Sequence, residues 1–350
     1  HARRAQRHPQ LIPVTTAQEA PMRPSPLMPT RRHATALLAA GMALLATSPV
    51  LAQDYPAKPI TIVVGYPPGG STDLMGRLVG AELSTRLGQP VVIENLGGAG
   101  GTIGAQKVAS AAPDGYTLLV GANNELAIAK LVTKTVKYDP ASFTPIGLIG
   151  SQPMVLVAAT STGVKNASDF TQLVKKNPGK FSYGSSGVGT ALHLAGEMVK
   201  EQAGLFMTHI PYRGVAPLTN DLVGNNLEFG VFVLSSGLPH IKSGKVVALG
   251  TTAAKRAPAT PDIPALAELP QFKNVDIESW FALVGPANLP QPVVAKLKKA
   301  LNDTLQSPDF RKKMAAAGSG VAAPDANLAQ FWQGEVAKYT KIVQFAKIEE

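Results

Sequence analysis

A short β-branched run, a glycine-rich turn bearing hydroxyl side chains and then a helical pattern occur in succession twice in this chain. This order constrains the fold more than any other feature. Pro59–Gly65 (PITIVVG) reads as a buried parallel strand, and it enters Tyr66-Pro-Pro-Gly-Gly-Ser-Thr-Asp73. A helix is predicted over Leu74–Leu87, with Leu74, Leu78, Ala81 and Leu83 on one face. The same order returns at Lys180–Gly184, Ser185-Ser-Gly-Val-Gly-Thr190 and a helix over Ala191–Gln202. Between and beyond these units the alternation continues. Pro90–Glu94, Tyr116–Val120, Phe143–Gly150, Met154–Ala159, Met207–Tyr212, Leu227–Leu234, Val246–Thr251 and Glu278–Val284 are predicted strands. Helices are predicted over Gly104–Ala112, Pro217–Val223, Pro292–Gln306 and Asn327–Ala346. Strands alternating with helices through short connections imply an α/β fold with parallel sheet. Two glycine turns of one kind imply two lobes facing a shared cleft.

The chemistry of such a turn follows from the helix it opens. The first N–H groups of a helix have no intrahelical partner and lie at the positive end of its dipole. Glycine lets a ligand approach that backbone, and Ser or Thr hydroxyls add donors. Gly69, Gly70, Ser71 and Thr72 meet this description, as do Ser185, Ser186, Gly187, Gly189 and Thr190. Neither turn carries the lysine of G-x-x-x-x-G-K-[ST], and no G-x-G-x-x-G occurs, so nucleotide binding loses its usual support. The ligand implied is a small anion, most simply a carboxylate. Asp73 is either a ligand for a substrate ammonium or a cap on its own helix. A third glycine turn, Asn95–Thr102, has one hydroxyl and reads as chain reversal.

Catalytic and metal patterns are poor. There is no cysteine, which excludes disulfides, thiolate metal sites and a cysteine nucleophile. Gly184-Ser-Ser-Gly-Val188 lacks the last glycine of a nucleophile elbow. His193, His209 and His240 have no metal-ligand spacing. His193 falls in the first turn of its helix, where it either senses the cleft or supports it from behind. Trp280 and Phe281 are core residues or a cleft wall. No metal and no cofactor are expected.

The net charge of +10 suggests nucleic acid or a membrane surface until it is located. Residues 1–52 hold six arginines and one acid, leaving 27 basic and 22 acidic groups in the remainder. The lysine pairs Lys175-Lys176, Lys298-Lys299 and Lys312-Lys313 lie on helices without interleaved aromatics and read as solvated faces, so no nucleic acid is expected. Residues 28–52 have the form of an export signal: Arg31-Arg32, an apolar run Ala34–Ala46, and Val50-Leu51-Ala52 before the cleavage point. Residues 1–27 read as upstream sequence, and the destination predicted is the periplasm. No other stretch reaches the length of a membrane span.

The chain also resembles a known family. Its markers are Tyr55-Pro-x-Lys-Pro-Ile60, Tyr66–Asp73, Gly88-Gln-Pro-Val-Val92, Gly98-Ala-Gly-Gly101, Pro113-Asp-Gly-Tyr-Thr-Leu118, Tyr183-Gly-Ser-Ser-Gly187, Pro211-Tyr-Arg-Gly214, Pro239-His-Ile-Lys242 and Ser279-Trp-Phe281. Their order and spacing resemble the Bug family, the extracytoplasmic solute receptors of tripartite tricarboxylate transporters, across residues 54–350. The resemblance implies a two-lobed periplasmic-binding-protein (Venus flytrap) fold. Lobe 1 would be residues 53–153 plus 275–350, and lobe 2 residues 154–274. It implies a small organic carboxylate (di- or tricarboxylate, or aromatic) held at the turns Tyr66–Asp73 and Ser185–Thr190, with His193, Tyr212 and Phe232 shaping the cavity. It further implies a non-enzymatic monomer whose partners are the membrane subunits of the transporter. A ligand-sensing receptor for a two-component system and a hydrolase or transferase are the rival readings. Two departures stand out: Phe232 replaces a frequent acidic residue, and Ala122-Asn-Asn-Glu-Leu126 replaces a stretch that is usually small and hydroxyl-rich.

Overall fold

The computed structural model describes residues 54–348; the export segment and the upstream residues predicted over 1–52 lie outside them. Short apolar strands alternate with helices in chain order. They are β1 (Ile60–Val64), α1 (Ser71–Leu87), β2 (Val91–Asn95), α2 (Thr102–Ala109) and β3 (Thr117–Ala122). A π-helical turn, Asn124–Ile128, runs into the short helix Ala129–Val132. Next come β4 (Phe143–Ala159), α3 (Ala167–Lys176), β5 (Ser182–Ser185), α4 (Ala191–Ala203), β6 (Thr208–Pro211), α5 (Val215–Val223), β7 (Phe229–Val233), α6 (Leu234–Lys242) and β8 (Val246–Thr251). The chain closes with β9 (Glu278–Pro286), α7 (Gln291–Gln306), α8 (Pro308–Ala316), β10 (Gly320–Val321) and α9 (Leu328–Ala346).

The strand order is β2-β1-β3-β9-β4-β7-β5-β6, with β8 and β10 also paired to β4. β1, β2 and β3 are parallel, as are β5, β6 and β7, whereas β4 and β9 run antiparallel to their neighbours. β4 joins the two groups. Its first part pairs β9 as far as Pro153↔Glu278, and from Met154↔Val233 it pairs β7. Two separate strands, Phe143–Gly150 and Met154–Ala159, were expected here and the chain forms one. Pro153 lacks an N–H, but it falls where the strand changes partners, so no ladder bond is sacrificed. Bulges near Gly147 and Gly150 absorb the remaining irregularity. α6 was also not predicted, and α8 was expected only as a helix bearing Lys312-Lys313, without bounds. α6 follows Val233 without glycine or proline to mark the boundary, and α8 is a separate helix capped by Ser307.

Alternation along the strands separates the packing. Leu156, Phe229 and Val231 join the larger core with Leu192, Leu194 and Val199 of α4. Val155, Val157 and Phe232 join a second core with Leu218 and Leu222 of α5 and Leu234 and Leu238 of α6. α4 and α6 therefore cover opposite faces of the sheet. The returning C-terminal helix α9 braces the π-helical turn: Trp332 Nε1 donates to Leu126 O at 2.8 Å, and Asn123 Nδ2 donates to the Tyr339 hydroxyl at 2.8 Å. Trp280 and Phe281 are core residues, and Trp280 Nε1 donates to Glu335 at 3.1 Å.

Candidate functional site

The first glycine turn leaves the buried end of β1 and opens α1. Gly70 sits at the helix N-cap in extended conformation (φ −85°, ψ 174°), and no side chain caps the helix. A Cβ at Gly70 would meet no atom within 4 Å. Ser71 is half-buried and Thr72 buried. Asp73 clamps this turn. Its carboxylate accepts from Gly69 N at 2.9 Å, Arg77 Nε at 3.0 Å and Asn95 Nδ2 at 2.8 Å. Burial opposes its charge, but these hydrogen bonds outweigh burial and hold its pKa below the usual value. Asp73 thus holds the turn that precedes its helix, through Gly69, and is paired with Arg77 and Asn95.

The second turn is built differently. Thr190 caps α4 by accepting from His193 N at 3.4 Å, and its hydroxyl donates to Gly187 O at 2.9 Å. Ser186 Oγ reaches the Thr190 hydroxyl at 3.3 Å. Gly189 is fixed as glycine twice over: its φ is +67°, and a Cβ would lie 2.5 Å from Val132 Cγ2. Val188, at the tip, is an exposed apolar residue of the turn. Tyr212 adjoins the turn through its N–H to Ser185 O at 3.0 Å, while its hydroxyl turns away to Asp221 at 2.7 Å. Phe232 is fully buried in the second core, with its ring stacked on His240 at 6.4 Å between centroids.

Asn124 brings the two turns together, and sequence reasoning did not find it. Its Nδ2 donates to the Tyr66 hydroxyl at 3.1 Å, and its Oδ1 accepts from Ala191 N, the first residue of α4, at 2.6 Å. The Tyr66 oxygen also lies 2.9 Å from Gly100 O and 2.6 Å from Glu125 Oε2. One hydroxyl proton cannot serve two acceptors, so when Tyr66 donates to Gly100 the short contact requires a proton on Glu125. The electrostatics agree. Burial pushes the Glu125 carboxyl up to about 7, against the hydrogen bonds from Tyr66 and Ala122 N. The signal available in the sequence was Asn123-Asn124-Glu125, three polar residues placed directly after a buried apolar strand.

His193 lies behind the second turn with a partner the sequence did not pair with it. The rings of His193 and His209 are stacked, 3.8 Å between centroids and 9° between planes. Gly189 N donates to His193 Nδ1 at 3.0 Å, which places any ring proton of neutral His193 on Nε2. His209 Nε2 lies 2.7 Å from Ser185 Oγ. Burial, the dominant cause for each, lowers His193 to about 4 and His209 to about 3. His193 also faces Glu197 at 3.8 Å, and Glu197 pairs with Lys200 at 2.8 Å and accepts from the Tyr183 hydroxyl at 2.7 Å. With folded values below the unfolded one, both rings stay neutral in the fold but charge in the unfolded chain, so stability is lost as pH falls from about 6.5 towards 4. Replacing His209 with Gln is expected to flatten that acid-side loss. Urea unfolding at pH 4.5 and 6.5 measures it, and an unchanged difference between the two pH values would refute the assignment.

A cavity of about 310 Å³ lies between β4, α7 and the start of α9, lined by Pro145, Lys298, Asn302 and Leu328 among others. None of the expected ligand residues lines it. Among the described residues no cluster of three His, Asp or Glu side chains is arranged to hold a metal ion, and no helix is long and apolar enough to cross a membrane.

Comparison with known proteins adds independent observations. Residues 75–348 match the tripartite tricarboxylate transporter family receptor, TctC. A UPF0065 protein of Bordetella pertussis is 37% identical over 289 residues, covering 83% of this chain and 87% of its own. The structure of the periplasmic binding protein BugD superposes with a TM-score of 0.78 at 36% identity, over 84% of this chain and 99% of that one. An R. palustris protein solved with adipate superposes with a TM-score of 0.81 at 31% identity, over 85% and 99%. The two parallel strand groups joined through β4 are thus the two-lobed fold of periplasmic binding proteins. With a family match over most of its length, this chain belongs to the tripartite tricarboxylate transporter receptors.

Proposed function

We propose that the protein captures a small organic carboxylate between its two lobes and presents it to the membrane subunits of a tripartite tricarboxylate-type transporter. The observation that supports this reading is the link Tyr66–Asn124–Ala191, which ties a residue of the turn before α1 to the first residue of α4. Gly70, Ser71 and Thr72 on one side and Ser186 on the other are the donors in this reading, while Gly69, Gly187, Gly189 and Thr190, whose donors are bound within the turns, shape the backbone around the ligand. The relative solved with adipate supports a carboxylate as ligand class. The lobes proposed are residues 53–153 with 275–350, and residues 154–274. The mature chain is proposed to work in the periplasm as a monomer after removal of the signal over 28–52.

The hydrolase reading draws on the Ser185–His209 contact, and the surroundings of that contact weaken it. Ser185 is fully buried, and its hydroxyl is bound within the turn to Gly187 O at 3.0 Å. A base held at about 3 takes up little of a serine proton at neutral pH. We therefore assign these residues to shaping the turn, and take the protein to be a receptor without catalysis.

The test is a thermal-shift screen of aliphatic mono-, di- and tricarboxylates and aromatic carboxylates. At least one is expected to raise the melting temperature in a concentration-dependent way, as ligand linkage requires. A flat response to every carboxylate would sink the reading.

A further inference from the structure

Gln152 is fully buried on β4, next to the point where that strand changes partners. Its Oε1 accepts from Ser235 N at 2.8 Å, so the side-chain amide rests against the first turn of α6. This nine-residue helix has no cap from its own N-cap residue, Val233. The other end of the amide, Gln152 Nε2, is buried without a hydrogen-bond partner, and so are the hydroxyls of Ser235, Ser236 and Ser319. Each buried unpaired polar group costs on the order of 1–3 kcal/mol. Three of them, the Gln152 amide and the Ser235 and Ser236 hydroxyls, lie at one helix start and come from two segments of chain, which indicates a place built to be filled by an acceptor.

The topology puts this place beside the site already described. β5 and β7 are adjacent and parallel, with Tyr183↔Phe229 and Gly184↔Gly230 in register. The helix after β5 covers one face of the sheet and the helix after β7 the other. Strand ends from which successive helices depart to opposite faces form a crevice, and ligands of open α/β sheets bind there. The start of α6 therefore lies at the same edge of the sheet as the second glycine turn, one strand over and three residues further along the strand direction.

We propose that Gln152, Ser235 and Ser236, at the start of α6, form the subsite for the second carboxylate of a dicarboxylate whose first carboxylate is held at the glycine turns. This rests on the carboxylate-receptor reading. The chemistry selects the group: a carboxylate only accepts hydrogen bonds, and the place offers an amide donor, two hydroxyls and the positive end of a helix dipole. An ammonium would meet the same dipole with the wrong sign.

The experiment compares straight-chain dicarboxylates from succinate to pimelate with the monocarboxylates of equal length, by calorimetry on the mature protein. The wild type is expected to bind its best diacid at least about tenfold more tightly than the matching monoacid. Q152E keeps an acceptor for Ser235 N but replaces the donor, and the double variant S235A/S236A removes only partnerless hydroxyls. Both are expected to reduce the diacid preference to within about threefold while leaving monoacid affinity unchanged. Equal wild-type affinity for diacid and monoacid overturns the subsite and leaves the receptor reading standing. Retention of the preference in S235A/S236A, with a gain in stability, also overturns it, because the hydroxyls are then mere defects of packing. Failure of every mono- and dicarboxylate to bind the wild type overturns the receptor reading and this one with it.

Discussion

Replacing Gly70 by valine is expected to abolish carboxylate binding while leaving the fold intact. Gly70 holds an extended conformation that any residue adopts, and the space around its missing Cβ is empty to 4 Å. Valine therefore costs little in folding, and its methyl groups project over the only end of α1 that is free to receive an anion. A loss of at least about 100-fold in affinity, about 3 kcal/mol, is expected. The melting temperature without ligand should fall by no more than about 4 °C, since replacing glycine by valine at an N-cap costs on the order of 1 kcal/mol. Calorimetry with the best carboxylate from the screen measures the first quantity and a ligand-free melt the second. Unchanged affinity in a folded variant would move the site away from α1.

The second large effect concerns Glu125 and pH. Its carboxyl is raised from 4.5 to about 7 in the fold, chiefly by burial. Between those values the native state keeps a proton that the unfolded chain has released, so Glu125 makes stability fall as pH rises through the window. The full penalty above pH 7 is about 3 kcal/mol. Glutamine at this position keeps an acceptor for Ala122 N and supplies a permanent donor to the Tyr66 hydroxyl. The stability of E125Q relative to the wild type is expected to be nearly level with pH below about 4.5 and to grow by about 3 kcal/mol by pH 7.5. Taking the difference between the two proteins cancels the opposite slope contributed by His193 and His209. Urea denaturation across pH 4 to 8 measures it, and a difference independent of pH would show that burial leaves the Glu125 carboxyl at its unfolded pKa.

Much of the fold was legible because local chemistry marks it. Tyr66–Asp73 and Ser185–Thr190 announce strand, turn and helix through glycine and hydroxyl residues, and both open the helices expected. Asn327 and the periodic apolar residues after it predicted α9 to within a residue. Elements without such punctuation were lost or split: α6 starts directly on a buried strand, and Pro153 disguised the continuity of β4. At the site, the glycines were readable because their freedom is a property of the residue itself. Phe232 was expected at the cavity wall, but its place on the strand turns it into the second core, a matter of which face packs against α6.

What the sequence determined by itself was the set of parts: two helix starts stripped of bulk, a chain that alternates strand and helix, and an absence of metal or nucleophile patterns. Only the tertiary structure decided how those parts act together. Asn124 lies 58 residues from Tyr66 and 67 from Ala191, and its local pattern, polar residues after an apolar strand, does not say which partners it meets. Gln152 meets Ser235 across 83 residues of chain, and His193 finds its stacking partner on a neighbouring strand segment. Hydrogen bonds and burial act through space, and it is burial that turns Glu125 from an ordinary carboxylate into a group that titrates near neutrality.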